Sequence, residues 1–341
     1  MKSYVSVIII TLILIVSAKF FTDGLINTKE YNLLKDKYNY LDNTYKTIVN
    51  LHRNQSDLIF HNIINRPEVL KVLENVNSAS DEEKKLIRKE LNNKLQSLYG
   101  QLKNENFRQL HFHLKDNISF FRFHKPNFYG DSLAGVRKTV EYVNKNLKPA
   151  YGFEEGRIHN AYRFVYPLIY QGKHLGSVET SVSMNILKKE FITNNNIHID
   201  LLVKKSLVDD VVFDSEKYNY KRHPYFKDFI LDKFIEKNSH IDVERLVFNN
   251  QELEKNLLKK KVLKSVIKDN NKYYSFIFYP IKDFSSNKDI AYLFFIEESK
   301  ELKDYVNTLY ITYILFVVFI IFTSYHIIMQ EFSRKELAKT E

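Results

Sequence analysis

The densest gathering of chemically capable side chains lies between Leu110 and Glu179. There His111, His113, Arg122, His124, Asp131, Arg137, Glu154, Glu155, Arg157, Arg163, Tyr166 and Glu179 are set among strand-forming aromatics. In the run Phe120-Phe121-Arg122-Phe123-His124, period-two alternation places Arg122 and His124 on one strand face and Phe121 and Phe123 on the other. A sheet face carrying guanidinium groups offers forked donors that match a carboxylate or a phosphate. Glu154, Glu155 and Glu179 point instead to a cationic group, which leaves a zwitterion open. The same charges also read as ion pairs that brace the hairpins.

Histidines at 111, 113, 124, 159 and 174 raise the question of a metal. His111 and His113 share a strand face, but the sequence shows no acidic partner at short spacing and no third close ligand, so no metal is expected. No phosphate-binding glycine loop, Gly-x-Ser-x-Gly elbow or His-Glu-x-x-His helix is present, and no cofactor is expected. The absence of cysteine removes disulfides, thiolate metal sites and cysteine nucleophiles together. The chain is therefore not expected to be an enzyme.

The elements that must position these residues follow from local pattern. Asn27 to Ile64 contains neither Gly nor Pro and carries apolar residues at steps of three and four, which predicts a long amphipathic helix of roughly 55 Å at about 1.5 Å per residue. Pro67 opens a shorter helix to about Val76, and Ser80 with Glu83 is a capping box for a helix running to about Lys103. Phe107–Leu114 and Ile118–His124 alternate about the turn Lys115-Asp116-Asn117, predicting a hairpin. A helix is expected over 131–146, N-capped by Asp131, then strands Ile158–Tyr170 and His174–Ser183 about Gln171-Gly172-Lys173. A connecting helix over 184–194 leads to a fainter copy: strands Ile197–Val203 and Leu207–Phe213, a helix Tyr225–Lys237, and strands Val262–Lys268, Tyr273–Ile281 and Ile290–Ile296. Every glycine except Gly24 lies between Gly100 and Gly176, so the first module holds the tight turns.

The fold class expected is α+β: a long N-terminal helix carrying two tandem PAS-like antiparallel-sheet modules, flanked by two transmembrane helices. Ser3 to Ala18 is uncharged and rich in branched aliphatics, and extends to Phe20 and Phe21 with Lys19 reaching toward the headgroups. A cleaved signal peptide is the alternative for this segment, but an uncleaved anchor suits the pattern that runs on past Phe21. No formal charge occurs from Tyr305 to Gln330, and tyrosines lie toward both ends of that stretch. Lys2 precedes the first span and Arg334, Lys335 and Lys339 follow the second, so both termini read as cytoplasmic and residues 24–304 as exported. With 51 basic against 41 acidic residues the chain carries +10, but the basic residues are scattered, and no nucleic-acid partner is expected.

Leu110-His111-Phe112-His113, Ser119-Phe120-Phe121-Arg122, His124-Lys125-Pro126, Gly130-Asp131-Ser132-Leu133, Arg137, Gly152-Phe153-Glu154-Glu155-Gly156-Arg157 and Arg163-Phe164-Val165-Tyr166-Pro167-Leu168 together resemble double-Cache sensor domains. These domains occur in bacterial receptors, here in the manner of sensor histidine kinases and diguanylate cyclases. The motif-level resemblance covers residues 107–183, and the remainder agrees in architecture only. It implies a membrane-distal ligand pocket lined or supported by Arg122, His124, Asp131, Arg137, Glu154, Arg157, Arg163 and Tyr166, and a membrane-proximal module that passes the signal on. The division implied is an anchor over 1–23, a helical stalk over 24–106, modules over 107–194 and 195–298, a second span over 299–330 and a tail over 331–341. Members of the family continue into a kinase, cyclase or methyl-accepting module, so an output is expected beyond Glu341 or in a cytoplasmic partner.

Two functions compete. One is a homodimeric two-pass sensor of a small extracytoplasmic molecule, with the long helix paired to its copy and the second span as the moving part. The other is a membrane-tethered adaptor whose exported domain binds a protein.

Overall fold

The computed structural model describes residues 2–184, 186, 197–224, 226–232, 241–248 and 264–340. Helix α1 runs from Lys2 to Ile59 without interruption, so the first apolar segment and the stalk are one helix, ending in a π-helical turn over Phe60–Ile64. After a short helix α2 (Pro67–Leu70) comes α3 (Asp81–Asn104), which starts on the predicted capping box. Glu83 N donates to Ser80 Oγ at 3.3 Å, and Ser80 N donates to the Glu83 carboxylate at 2.7 Å.

The chain divides into two compact units. One comprises Tyr40–Leu263 with Ile277–Ile296, and the other Met1–Asn39, Lys264–Phe276 and Glu297–Glu341. The first contains a five-stranded antiparallel sheet ordered β2-β1-β5-β4-β3, from β1 (Phe107–Leu114), β2 (Ser119–Arg122), β3 (Ala150–Glu154), β4 (Ala161–Tyr170) and β5 (Lys173–Val182). Helix α4 (Lys138–Asn146) covers part of one face, packing Val140 and Val143 on Ala150 and Val165. The other face packs on α1: Phe60 stacks on Tyr166 at 4.4 Å, Ser56 is hydrogen-bonded to Thr180, and His52 meets Phe107 edge-on.

A second sheet has the order β7-β8-β6-β11-β10-β9, with β6 (Ile197–Lys204), β7 (Tyr220–Arg222), β8 (Phe229–Asp232), β9 (Lys264–Asp269), β10 (Lys272–Lys282) and β11 (Asp289–Glu298); helices α5 (Lys205–Val211) and α6 (Val243–Phe248) lie between its strands in sequence. In the other unit, α7 (Lys300–Thr340) runs beside the start of α1. Thr11 and Ser324 hydroxyls lie 2.6 Å apart, Lys29 pairs with Glu301 at 2.6 Å, and the Lys335 ammonium sits 4.4 Å from the Tyr4 ring centre. Tyr4 beside Lys335 places both termini at the same end of the helix pair. Ile9, Ile13, Leu315, Phe319 and Phe322 point outward from the pair, as lipid-facing side chains do.

Four sequence expectations are corrected. The helix expected over 131–146 begins only at Lys138, because Gly135 adopts φ +78° and interrupts it, and Asp131 is no N-cap. Leu207–Phe213 is not a strand: Lys205–Val211 is a helix (α5), with Val208 and Val212 buried at helical spacing and Asp209 and Asp210 exposed. Within the helix expected at Tyr225–Lys237, Phe229–Asp232 forms strand β8, and residues 225 and 233–237 lie outside the described residues. Strand β3 was not anticipated at all, being only five residues long. Of the connecting helix expected over 184–194, residues 185 and 187–194 lie outside the described residues, as do the first two residues of the strand expected from Val262.

Candidate functional site

Strand register brings the chemically capable residues into rows on the sheet face opposite α1. Arg122 on β2 pairs with His111 on β1, His111 with Glu179 on β5, Glu179 with Val165 on β4, and Val165 with Ala150 on β3. The next rows place Gln109 beside Ser181 and Arg163, and His113 beside Ser177 and Ser119. This polar face is buried: His111, Arg163 and Glu179 are each 0% exposed. Unpaired charge at such depth would cost several kcal/mol per group, so the pairing decides how the site is built.

Arg122 makes a bidentate bridge to Asp131, at 2.7 and 2.9 Å, and donates to the Phe128 carbonyl at 2.9 Å. Arg163 donates to one oxygen of Glu179, to Gln109 at 3.0 Å and to the His159 carbonyl at 2.9 Å. Arg137 approaches the other Glu179 oxygen at only 3.4 Å, and its Nε is buried with no hydrogen-bond partner. Glu154 accepts from Thr139 N at 2.8 Å and from its hydroxyl, and stands 3.9 Å from Arg163. Gly156 makes this crowding feasible, because a Cβ there would lie 2.7 Å from Arg163 Nη2 and 3.0 Å from Arg137 Nη2.

Burial tends to raise the Glu179 carboxyl, but Arg163 and Arg137 outweigh it and hold Glu179 down to about 2. Burial pushes His113 and His124 down to about 3, aided by the arginines, and drives His111 well below its ordinary value. Burial and the Arg163 charge lower Arg137 to about 10, and burial raises Glu154. At neutral pH the face therefore holds ionised guanidiniums and Glu179 beside neutral imidazoles. What these residues can do is hold and exchange charged partners.

Of the eight site residues expected from sequence, Arg122, Asp131, Arg137, Glu154 and Arg163 come together in this network, with His124 at its margin, 6.5 Å from His111 between ring centres. Arg157 sits at the rim, stacked 4.9 Å over Phe213 and donating to the Ser132 carbonyl at 3.2 Å. Tyr166 faces the other way: its hydroxyl donates to Asp57 of α1 at 2.8 Å, because β4 alternates and Arg163 and Val165 take the polar face. Outside that expected set, the structure adds Gln109, His111, His113, Thr139, Ser177 and Glu179. Of these, His111, His113 and Glu179 stand in the polar set visible in the sequence, and the alternation of Gln109 with His111 and His113 along β1 is the signal that could have added Gln109.

Residues 38–213, more than half of the chain, match the double sensory domain of two-component sensor kinases. The chain belongs to the double-Cache family. It is a sensory rather than a catalytic class of domain, and the two long apolar helices fit a two-pass membrane protein. No curated protein matches the sequence. Among solved structures, the sensor domain of the histidine kinase DctB of V. cholerae is similar at 11% identity and a TM-score of 0.45, over 79% of this chain and 98% of that one. The sensory domain of the Campylobacter jejuni chemoreceptor Tlp3 with isoleucine bound is similar at 14% identity and a TM-score of 0.42, over 83% and 98%. A domain of a sensory box/GGDEF family protein from Vibrio parahaemolyticus gives 14%, 0.42, 82% and 99%.

Proposed function

We propose that this double-Cache protein is the sensory part of a transmembrane receptor and binds a small extracytoplasmic molecule on the polar face of its first sheet. The observation that carries the reading is the uneven pairing of the three guanidiniums: Arg122 makes a bidentate bridge to Asp131 and Arg163 donates from its Nη atoms to Glu179, Gln109 and the His159 carbonyl, whereas Arg137 has a 3.4 Å contact to Glu179, and the Nε atoms of both Arg163 and Arg137 are buried without a hydrogen-bond partner. An arginine so held is the group that turns to an incoming carboxylate or phosphate, and Glu154 remains nearby for a cationic substituent. Arg122, His124, Asp131 and Arg163 support that exchange, and Arg157 guards the rim.

In this reading the two spans are α1 and α7, both termini are cytoplasmic, residues 24–304 are exported, and a shift in sheet packing is relayed through α7 to a cytoplasmic partner. The buried stripe Leu41, Ile48, His52, Ser56 and Phe60 of α1 is already used by the unit it belongs to, so homodimerisation would use the exposed Leu51 and Leu58, one heptad apart. A thermal-shift screen of the detergent-solubilised full chain against amino acids, organic acids, amines and purines tests the site. A hit is expected whose shift disappears in Arg137→Ala and Arg122→Ala. A hit that persists in both, or binding of a protein partner with no small-molecule hit, would remove the site and favour the adaptor.

A further inference from the structure

We propose that His111, His113 and Glu179 together form a binding site for a divalent transition-metal ion. The two histidines follow one another on the same face of β1, and the register of β1 with β5 sets Glu179 directly opposite His111. One donor atom from each of the three lies within 4.8 Å of the others. Metal–ligand bonds of about 2.0–2.2 Å require donors roughly 3.4 Å apart in a tetrahedral site, so closing the site takes about an ångström of side-chain rotation.

The far side of each imidazole is already anchored. His111 Nε2 is 2.8 Å from the Ser119 hydroxyl and His113 Nδ1 is 3.0 Å from the Ser177 hydroxyl. The remaining nitrogens, His111 Nδ1 and His113 Nε2, are buried with no hydrogen-bond partner, and His113 Nε2 is 3.8 Å from Glu179 Oε2. Metal-binding histidines have this form: one nitrogen fixed by a supporting group, the other free for the ion. Buried polar atoms without partners are costly, and His113 Nε2 facing the Glu179 carboxylate, with His111 Nδ1 also unpartnered, calls for an occupant. His124, whose ring nitrogens are both without hydrogen bonds, is the candidate for a fourth ligand.

The neighbouring guanidiniums oppose a cation, and their pairing decides whether one fits. Arg122 is neutralised by Asp131 and Arg163 by Glu179 Oε1. Only Arg137 competes for Oε2, at 3.4 Å, and it has Glu154 as a second counter-charge. Two imidazoles with one carboxylate and no thiolate select zinc-like borderline ions over calcium or magnesium.

The test uses the full chain in detergent, purified without a histidine tag, stripped with chelator and titrated with Zn2+ and with Co2+, no organic molecule being added. One tightly held equivalent is expected, with Co2+ giving the visible bands of nitrogen and oxygen ligation. His113→Gln and His111→Asn should lose it, and Ser177→Ala, which keeps the ligands, should bind about 10–100-fold more weakly. Zinc-edge X-ray absorption on the loaded wild-type chain should count at least two imidazoles, a result that needs no variant to fold. Failure to retain one equivalent, retention unchanged in both histidine variants, or fewer than two imidazoles overturns the site.

Discussion

On the first sheet, β1, β4 and β5 bury His111, Arg163 and Glu179 in one face. On the second sheet the rings of Phe278 and Phe294 stack at 4.8 Å, with Phe226 edge-on to both at 5.7 and 5.2 Å. Both interiors exclude water, but the ring cluster makes no demand on any single partner, whereas each charge on the first sheet depends on a named counter-charge. A buried ion network is a poor way to gain stability, since well-packed apolar side chains do as well or better. In the proposed reading, its presence on one sheet separates the part of the molecule used for recognition from a part used for packing.

The largest loss is expected from Glu179→Ala, which strands Arg163 and Arg137 in the interior and should destabilise the chain by about 3–5 kcal/mol in denaturant unfolding. Phe294→Ala should cost about 3–4 kcal/mol by the same measurement. The two differ in repair: a leucine at 294 should recover most of the loss, whereas Glu179→Gln, of nearly equal shape, should not recover the first.

Acid separates the two sheets more finely. His113 and His124 are held near 3 in the fold against 6.5 when unfolded, so on acidification the unfolded chain takes up protons first. Stability is then full above about 6.5 and falls as pH drops from there toward 3. The second sheet has His223, held near 4 by burial. In chelator, urea unfolding of His113→Gln/His124→Gln should show a flatter pH dependence than wild type, and His223→Gln a smaller flattening. The smallest effect is expected on the α1 side of the first sheet, where Tyr166→Phe removes one hydrogen bond to Asp57 and should cost about 1 kcal/mol by thermal unfolding.

Local pattern made much of this legible. Ser80 and Glu83 specify their helix start because both partners of the cap are three residues apart, and Lys115-Asp116-Asn117 marks the hairpin turn because Asn117 tolerates its φ of +66°. The charged set between Leu110 and Glu179 was visible as polar residues at strand positions. Which charges meet was not. Glu179 faces His111 through the register of β1 with β5, set by strand pairing across a long stretch of chain. Tyr166 resembles a site residue by its neighbours but falls on the opposite parity from Arg163, and the spacing of Val208 and Val212 suits a helix of about two turns as readily as a strand.

In the proposed function the polar face of the first sheet receives the ligand. Hydrogen–deuterium exchange of the full chain, with and without a molecule selected by the thermal-shift screen, addresses it most directly. Protection is predicted over β1, β5 and the segment from Asp131 to Asn146 that carries Arg137, and it should vanish in Arg137→Ala. Protection confined to the strands of the second sheet, with Phe107–Leu114 and Lys173–Val182 unchanged, would contradict it.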